Sequence, residues 1–226
     1  MNNTSVSHVE FLRRIHADAQ PRTYLEIGVE TGATFKLATC DAVGVDPAFQ
    51  CKEYSNPKAK IFEMTSDDFF AGHNLAELFP GGIDFSFVDG MHLFEFALRD
   101  FMNIEKFSNK NTVVAIHDCY PLNLEMAERE RKTVAWCGDV WKLLPIFNRY
   151  RPDLDVKVYD CPPVGVLLVT GLSRGNKTFS KHYDEIVRKF EPLTLEDYGM
   201  NRLRKAFPAI DPRHAKLRHR FSTAST

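Results

Sequence analysis

The chain reads as an α/β protein built on a doubly wound sheet of seven strands, mostly parallel and closed by a C-terminal antiparallel hairpin. Three observations predict this. The runs 83–89 and 112–116 are largely apolar and of strand length, with β-branched residues, as expected of strands buried on both faces of a parallel sheet. Strand-like and helix-like segments alternate through the first half of the chain, which implies right-handed crossovers. Finally, the runs 155–159 and 164–169 are separated only by Asp160-Cys161-Pro162-Pro163. That link is too short for a crossover helix, so these two strands should be antiparallel.

The elements follow in order. Residues 7–19 form an opening helix, with Val9, Leu12, Ile15 and His16 near one face, and Pro21 ends it. A first strand covers 23–28, and 31–39 reads as the helix after it. A second strand, 42–46, is closed by Pro47. A third, 59–64, precedes a helical stretch over 67–78, and Pro80-Gly81-Gly82 marks a turn. The fourth strand, 83–89, leads into a helix over 92–106, and the fifth is 112–116. Residues 119–138 are polar and charged, longer than an ordinary connection, and are the candidate lid over an acceptor site. A helix over 140–150, with Asp139 as its N-cap and Trp141 in the core, precedes the terminal hairpin. The tail from 173 to 226 carries helical stretches near 183–190 and 195–207 and a basic end; residues 222–226 read as disordered.

At 226 residues the chain can bury one core, so 1–226 is read as a single domain, with residues 1–20 as an N-terminal helical segment. Lys and Arg number 29 against 30 Asp and Glu, which gives no global case for nucleic acid or an anionic membrane. The basic stretch 202–220 lacks the aromatic interleaving of a nucleic-acid surface. No apolar run approaches the roughly 18 residues that cross a bilayer, and the first residues lack the pattern of a secretory signal. The five cysteines are scattered without a CxxC pair, so neither a zinc ribbon nor a disulfide framework is expected, and a reducing cytoplasm fits best.

Chemistry concentrates at strand ends. In an open parallel sheet, ligands bind at the carboxyl ends of the strands. Asp89 and His92 follow the fourth strand, and His117-Asp118 follow the fifth, so these four should converge on one edge. Such a set can hold a divalent cation or move a proton. At the end of the first strand, Gly28 permits a tight turn and Gly32 a close approach of ligand or helix. Asp46 ends the second strand, where an acid can accept hydrogen bonds from ribose hydroxyls or simply cap the strand. Glu30 stands where a dinucleotide fingerprint has its second glycine, which argues against a pyrophosphate there and against a nicotinamide oxidoreductase.

These residues carry a resemblance. Glu26-x-Gly28-x-x-x-Gly32, Asp46 and the terminal hairpin resemble the class I S-adenosylmethionine-dependent methyltransferases, with a Rossmann-like sheet, over about residues 20–172. Phe87-Val88-Asp89-Gly90-Met91-His92 and His117-Asp118 make the chain similar to metal-dependent small-molecule O-methyltransferases of the macrocin type. The resemblance implies that Glu26, Gly28 and Gly32 surround the methionine part of S-adenosylmethionine, that Asp46 binds its ribose, and that Ser66 and Asp67 lie by its adenine. It implies Mg²⁺ or another divalent cation on Asp89 and Asp118, with His117 as a further candidate ligand. His92 is the candidate general base, with a helix-cap or buried structural histidine as the alternative, and Asp89 shares the catalytic role. The expected acceptor is a hydroxyl of a small molecule such as a sugar or glycosylated natural product. The rival readings are the oxidoreductase and a catalytically silent cofactor-binding module. Self-association is allowed; a membrane or nucleic-acid partner is not expected.

Overall fold

In the structure, a computed structural model describing residues 5–51, 54–217 and 221, seven strands form one sheet in the order β3-β2-β1-β4-β5-β7-β6. The strands are β1 Thr23–Ile27, β2 Asp41–Val45, β3 Ala59–Phe62, β4 Ile83–Val88, β5 Ser108–His117, β6 Asp155–Tyr159 and β7 Val166–Thr170. Neighbours from β3 to β5 pair in parallel, and β7 runs antiparallel to both β5 and β6. The chain moves outward from β1 to β3 and then returns to lay β4 against the other side of β1. That reversal opens a crevice at the carboxyl ends of β1 and β4, the place where open α/β sheets hold ligands.

The strands bury alternate residues on two apolar layers. Leu25, Ile27, Val88, Val114 and Ile116 face the layer under helices α4 (Phe94–Glu105), α5 (Leu143–Tyr150) and α6 (Thr178–Phe190). Tyr24, Phe85, Phe87, Val113 and Ala115 face the opposite layer, covered by helix α1 (His8–Ala19). The helix starts one residue later than expected, with Ser7 as its cap accepting from the Glu10 N–H, while Phe11, Leu12, Ile15 and Ala19 point inward. The tail is part of the core: Phe179, Ile186, Phe190, Leu195 and Leu203 all join the first layer. Among the described residues no helix is long and apolar enough to cross a membrane. The expected disorder of 222–226 and the basic residues 218–220 lie outside the described residues.

Several expected elements differ. Over 31–39 there is only a 3-10 turn, Phe35–Leu37. Gly32 takes φ +75°, and the Thr34 hydroxyl that would have capped a helix donates to Glu26 Oε1 instead. The stretch 67–78 is two helices, α2 (Ser66–Gly72) and α3 (Leu75–Leu78), because Asn74 is extended and caps α3 through the Ala76 N–H. The helix expected from 92 starts at Phe94, since His92 is left-handed and Leu93 extended. Helical residues 195–207 split into α7 (Leu195–Tyr198) and α8 (Met200–Ala206) at Gly199, which has φ +91°. The helix over 140–150 opens with a 3-10 turn, Val140–Lys142, before α5. Strand β5 begins earlier than expected, at Ser108.

Strand β1 buries a carboxyl. Glu26 is fully enclosed, with Tyr24 donating to Oε2 at 2.5 Å and Thr34 to Oε1 at 2.6 Å. The second bond ties the loop after β1 to the strand beneath it. Burial pushes the Glu26 carboxyl up to about 8, against the two hydroxyls that hold it down. A carboxyl whose pKa rises on folding favours the folded state while protonated. Its contribution is whole below the unfolded value and is lost as pH climbs toward 8, at up to about 1.4 kcal/mol per pH unit. Glu26→Gln should therefore flatten the fall in Tm between about pH 5 and pH 8. Thermal melts across that range check it; curves parallel to wild type would mean that Glu26 ionises normally.

Candidate active site

The crevice is built from backbone first. Gly28, at φ +85°, donates to the Val45 carbonyl at 2.9 Å, and the Asp89 N–H donates to the Ile27 carbonyl at 2.8 Å. A Cβ on Gly28 would lie 2.0 Å from the Asp89 carbonyl oxygen, so only glycine lets the ends of β1 and β4 meet. Asp46 holds the loop: its Oδ2 accepts from the Glu30 N–H and its Oδ1 from the Ala48 N–H, both at 2.7 Å. The Glu30 backbone is left-handed at φ +42°, with its side chain exposed. Gly32 faces protein: a Cβ there would lie 2.6 Å from Cys51 Sγ. Glu26 sits beneath the loop, turned to Tyr24 and Thr34.

The four strand-end residues expected to converge do so. His117 Nδ1 lies 3.1 Å from Asp89 Oδ1 and 3.5 Å from Asp118 Oδ2. His92 Nδ1 lies 3.2 Å from Asp118 Oδ2, and its Nε2 is 3.6 Å from Asp89 Oδ1. Donor atoms of Asp89, His92 and Asp118 all lie within 4.8 Å of one another, close enough to grip one ion. His117 bonds Asp89 through Nδ1, while its buried Nε2 has no hydrogen-bond partner among the described residues. His92 and Asp118 both have left-handed backbones, at φ +56° and +61°. Such strain in non-glycine residues gathers at functional sites.

Charge is unevenly shared in this cluster. Burial works to raise the Asp89 carboxyl, but His117 and then His92 overcome it and hold it well below the usual carboxylate range. Burial likewise works to lower His117, and Asp89 and Asp118 hold it well above the usual imidazole range. Asp118 is pushed upward, by burial first and by the charge on Asp89 after that. The cluster thus rests as an ion pair, Asp89 with His117, beside a carboxyl of weaker acidity. His8, from the first turn of α1, packs its ring 4.3 Å from that of His117, centroid to centroid.

A narrow cleft lies alongside, lined by Asp89, Gly90, Met91, His92, Asp100 and Asp118 among others. Asp100 projects from α4 and is buried, and its Oδ1 has no hydrogen-bond partner among the described residues. Burial pushes its carboxyl up to about 7. Asp67, expected beside Ser66 at the adenine, turns outward to Arg99, with contacts of 2.9 and 2.6 Å. Asp100 and His8 are functional candidates that the sequence reading missed. An acid within the apolar row of Ala97, Leu98, Phe101 and Ile104 was a visible signal for Asp100; nothing in the sequence tied His8 to a strand end more than a hundred residues away.

The segment 119–138 folds back on this cleft. It has a 3-10 turn, Glu125–Ala127, and a small core of its own from Met126 and Cys137 against Val164. Arg129 bonds Glu95 at 3.0 Å and Asp139 at 2.6 Å. Trp136 stacks on His92, with centroids 5.2 Å apart and planes 12° from parallel. Asp139 does not cap its own helix: its Oδ1 accepts from the Phe94 N–H at 2.9 Å, so it caps α4 instead. Its Oδ2 accepts from Arg129 and from the buried Lys142 at 2.8 Å.

Comparisons with known proteins agree with this fold. Residues 25–119 match a family described as a methyltransferase domain. No curated protein matches the chain in sequence. Among solved structures, cofactor-bound Rv0187 from MTB is similar with a TM-score of 0.56 at 14% identity, over 76% of this chain and 84% of that one. SAH-bound PaMTH1, a methyltransferase from Podospora anserina, gives 0.54 at 15%, over 72% and 77%. The O-methyltransferase TomG from Streptomyces achromogenes, in complex with SAM and involved in tomaymycin synthesis, gives 0.54 at 15%, over 76% and 84%. At these identities the likeness is one of fold. The matched domain and the shared sheet agree on a Rossmann-like fold, a seven-stranded sheet that is mostly parallel and ends in an antiparallel pair.

Proposed function

We propose that the protein transfers a methyl group from S-adenosylmethionine to a hydroxyl of a small-molecule acceptor, such as a sugar or a glycosylated natural product. The observation that carries this is the convergence of Asp89, His92 and Asp118 on the crevice between β1 and β4. Bound there, the cofactor supplies a methyl on a sulfonium, an electrophile strong enough that the protein has mainly to position and deprotonate the acceptor.

The residues fit such a cofactor. Each oxygen of Asp46 takes one backbone N–H and keeps a second lone pair, which suits ribose hydroxyls. The unpartnered Asp100 oxygen, beside Gly90 and Met91, suits an exocyclic amine of the base, with Ser66 behind it. The exposed carboxylate of Glu30 at the first loop is unsuited to a pyrophosphate, which disfavours nicotinamide chemistry.

They also fit a hard divalent cation. Two carboxylates from neighbouring strands, Asp89 and Asp118, offer oxygen donors at one point, with His92 at their side. A cation held there would lower the pKa of an acceptor hydroxyl. Asp89 and Asp118 would hold it, His92 would receive the acceptor proton, and the His117 imidazolium would balance the carboxylates when no cation is bound.

Three outcomes follow. Asp46→Ala should weaken S-adenosylhomocysteine binding by roughly 1–3 kcal/mol in calorimetry, the loss of hydrogen bonds to a charged group; unchanged affinity would remove Asp46 from the site. His92→Ala should lower kcat by about 10²–10⁴ while cofactor affinity stays near wild type; weaker cofactor binding with normal turnover at saturation would make His92 a binding residue. Exhaustive chelation should abolish methyl transfer, and Mg²⁺ or Mn²⁺ should restore it. Full activity in enzyme verified as metal-free would leave the histidines as a purely organic acid–base site.

A further inference from the structure

The segment that closes over the cleft does more to His92 than cover it. His92 Nδ1 lies 3.0 Å from the Trp136 carbonyl oxygen and 3.2 Å from Asp118 Oδ2. A carbonyl can only accept, so the nitrogen facing it has to carry the proton. A neutral ring protonated on Nε2 would set the Nδ1 lone pair against that of the carbonyl. The ring itself is held flat under Trp136, 12° from parallel.

The backbone is gripped as tightly as the ring. The His92 carbonyl accepts from the Asp139 N–H at 3.2 Å. Gly138 turns past it at φ +55°, and a Cβ on Gly138 would lie 1.8 Å from the His92 oxygen. One turn on, the Asp139 carboxylate takes the Phe94 N–H. Residues 136–139 thus meet His92 at its ring edge, its ring face and its carbonyl, and meet helix α4 just beyond. Left-handed backbone in a histidine persists only where its surroundings over-determine it, and these contacts supply that determination.

We propose that residues 136–139 are a positioning clamp that fixes His92 as the Nδ1–H tautomer and leaves Nε2 unprotonated at the cleft. Trp136 and Gly138 are then positioning residues. They act through His92, and the specificity segment and the catalytic base are mechanically one unit. The inference rests on the methyl-transfer reading only for its effect on turnover; the tautomer is a property of the free protein.

The test is long-range ¹H–¹⁵N NMR on protein with labelled histidine, without cofactor, at a pH where the ring is neutral. His92 is assigned by the signal that vanishes in His92→Asn. The expected result is a protonated Nδ1 and an unprotonated Nε2 in the wild type and in Trp136→Phe, which keeps both carbonyl and stacked ring. Gly138→Ala should lose this single tautomer, because its Cβ forces the clamp away from the His92 carbonyl. If Gly138→Ala does not fold, Trp136→Ala takes its place, with loss of the single tautomer and rescue by Trp136→Phe. In turnover, the disrupted variants should lose about tenfold or more in kcat with unchanged affinity for S-adenosylhomocysteine. A wild-type His92 protonated on Nε2, an even mixture, or a wild-type tautomer in folded Gly138→Ala and Trp136→Ala would overturn the clamp. Wild-type protein that transfers no methyl group would sink the proposed function and leave the tautomer measurement standing.

Discussion

The backbone of Gly28 lies against the carbonyl of Asp89, and the geometry of the crevice depends on that contact. A side chain at position 28 would need the space the carbonyl occupies. The loop after β1 therefore starts at the level where β4 ends, and Asp89 is delivered beside the first turn of the chain rather than above it. From there the rest is relayed outward. Asp46 secures the loop from the β2 side, Glu26 and Thr34 secure it from below, and β5 brings His117 and Asp118 in on the other flank of Asp89.

The carboxylates at this point are managed by position. Asp89 has His117 and His92 within reach and stays ionised; Asp118 is buried deeper, feels Asp89 as a like charge, and is driven the other way. Two neighbouring acids with opposed tendencies can do two things at once, one offering a permanent negative charge and the other exchanging a proton or a ligand. The flanking His8 is held as a neutral ring, its pKa lowered to about 4 by burial and by the charge on His117. It adds aromatic surface without adding a second cation.

The sheet was legible in the sequence because its signals are local. Largely apolar runs of strand length declare buried strands, and a four-residue link cannot hide a helix, so strand positions and the antiparallel end follow from the chain alone. The convergence of Asp89, His92, His117 and Asp118 was legible for the same reason: each ends or follows a strand of known direction. What was not legible depended on competition for the same atoms. Thr34 could cap a helix or bond Glu26, and it bonds Glu26, so a helix expected over 31–39 shrinks to one turn. Asp139 could cap the helix it precedes or a distant one, and it caps α4. His92 continues no helix because its backbone is left-handed, a choice enforced by residues more than forty positions later.

The C-terminal helices bear on where such a protein can be cut. Tyr183 on α6 accepts from Arg99 and donates to the Glu95 carbonyl, Lys142 donates to the Glu191 carbonyl, and five apolar side chains of α6 to α8 are shared with the main core. Arg99 in turn holds Asp67 at the start of α2, on the rim of the crevice. A boundary drawn after β7 on the strength of the sheet alone would strip the outer wall from α4, the helix that carries Asp100 and follows His92. The sheet and the tail therefore share one wall: exchanging one between related proteins without the other would transplant a crevice whose support belongs to a different protein.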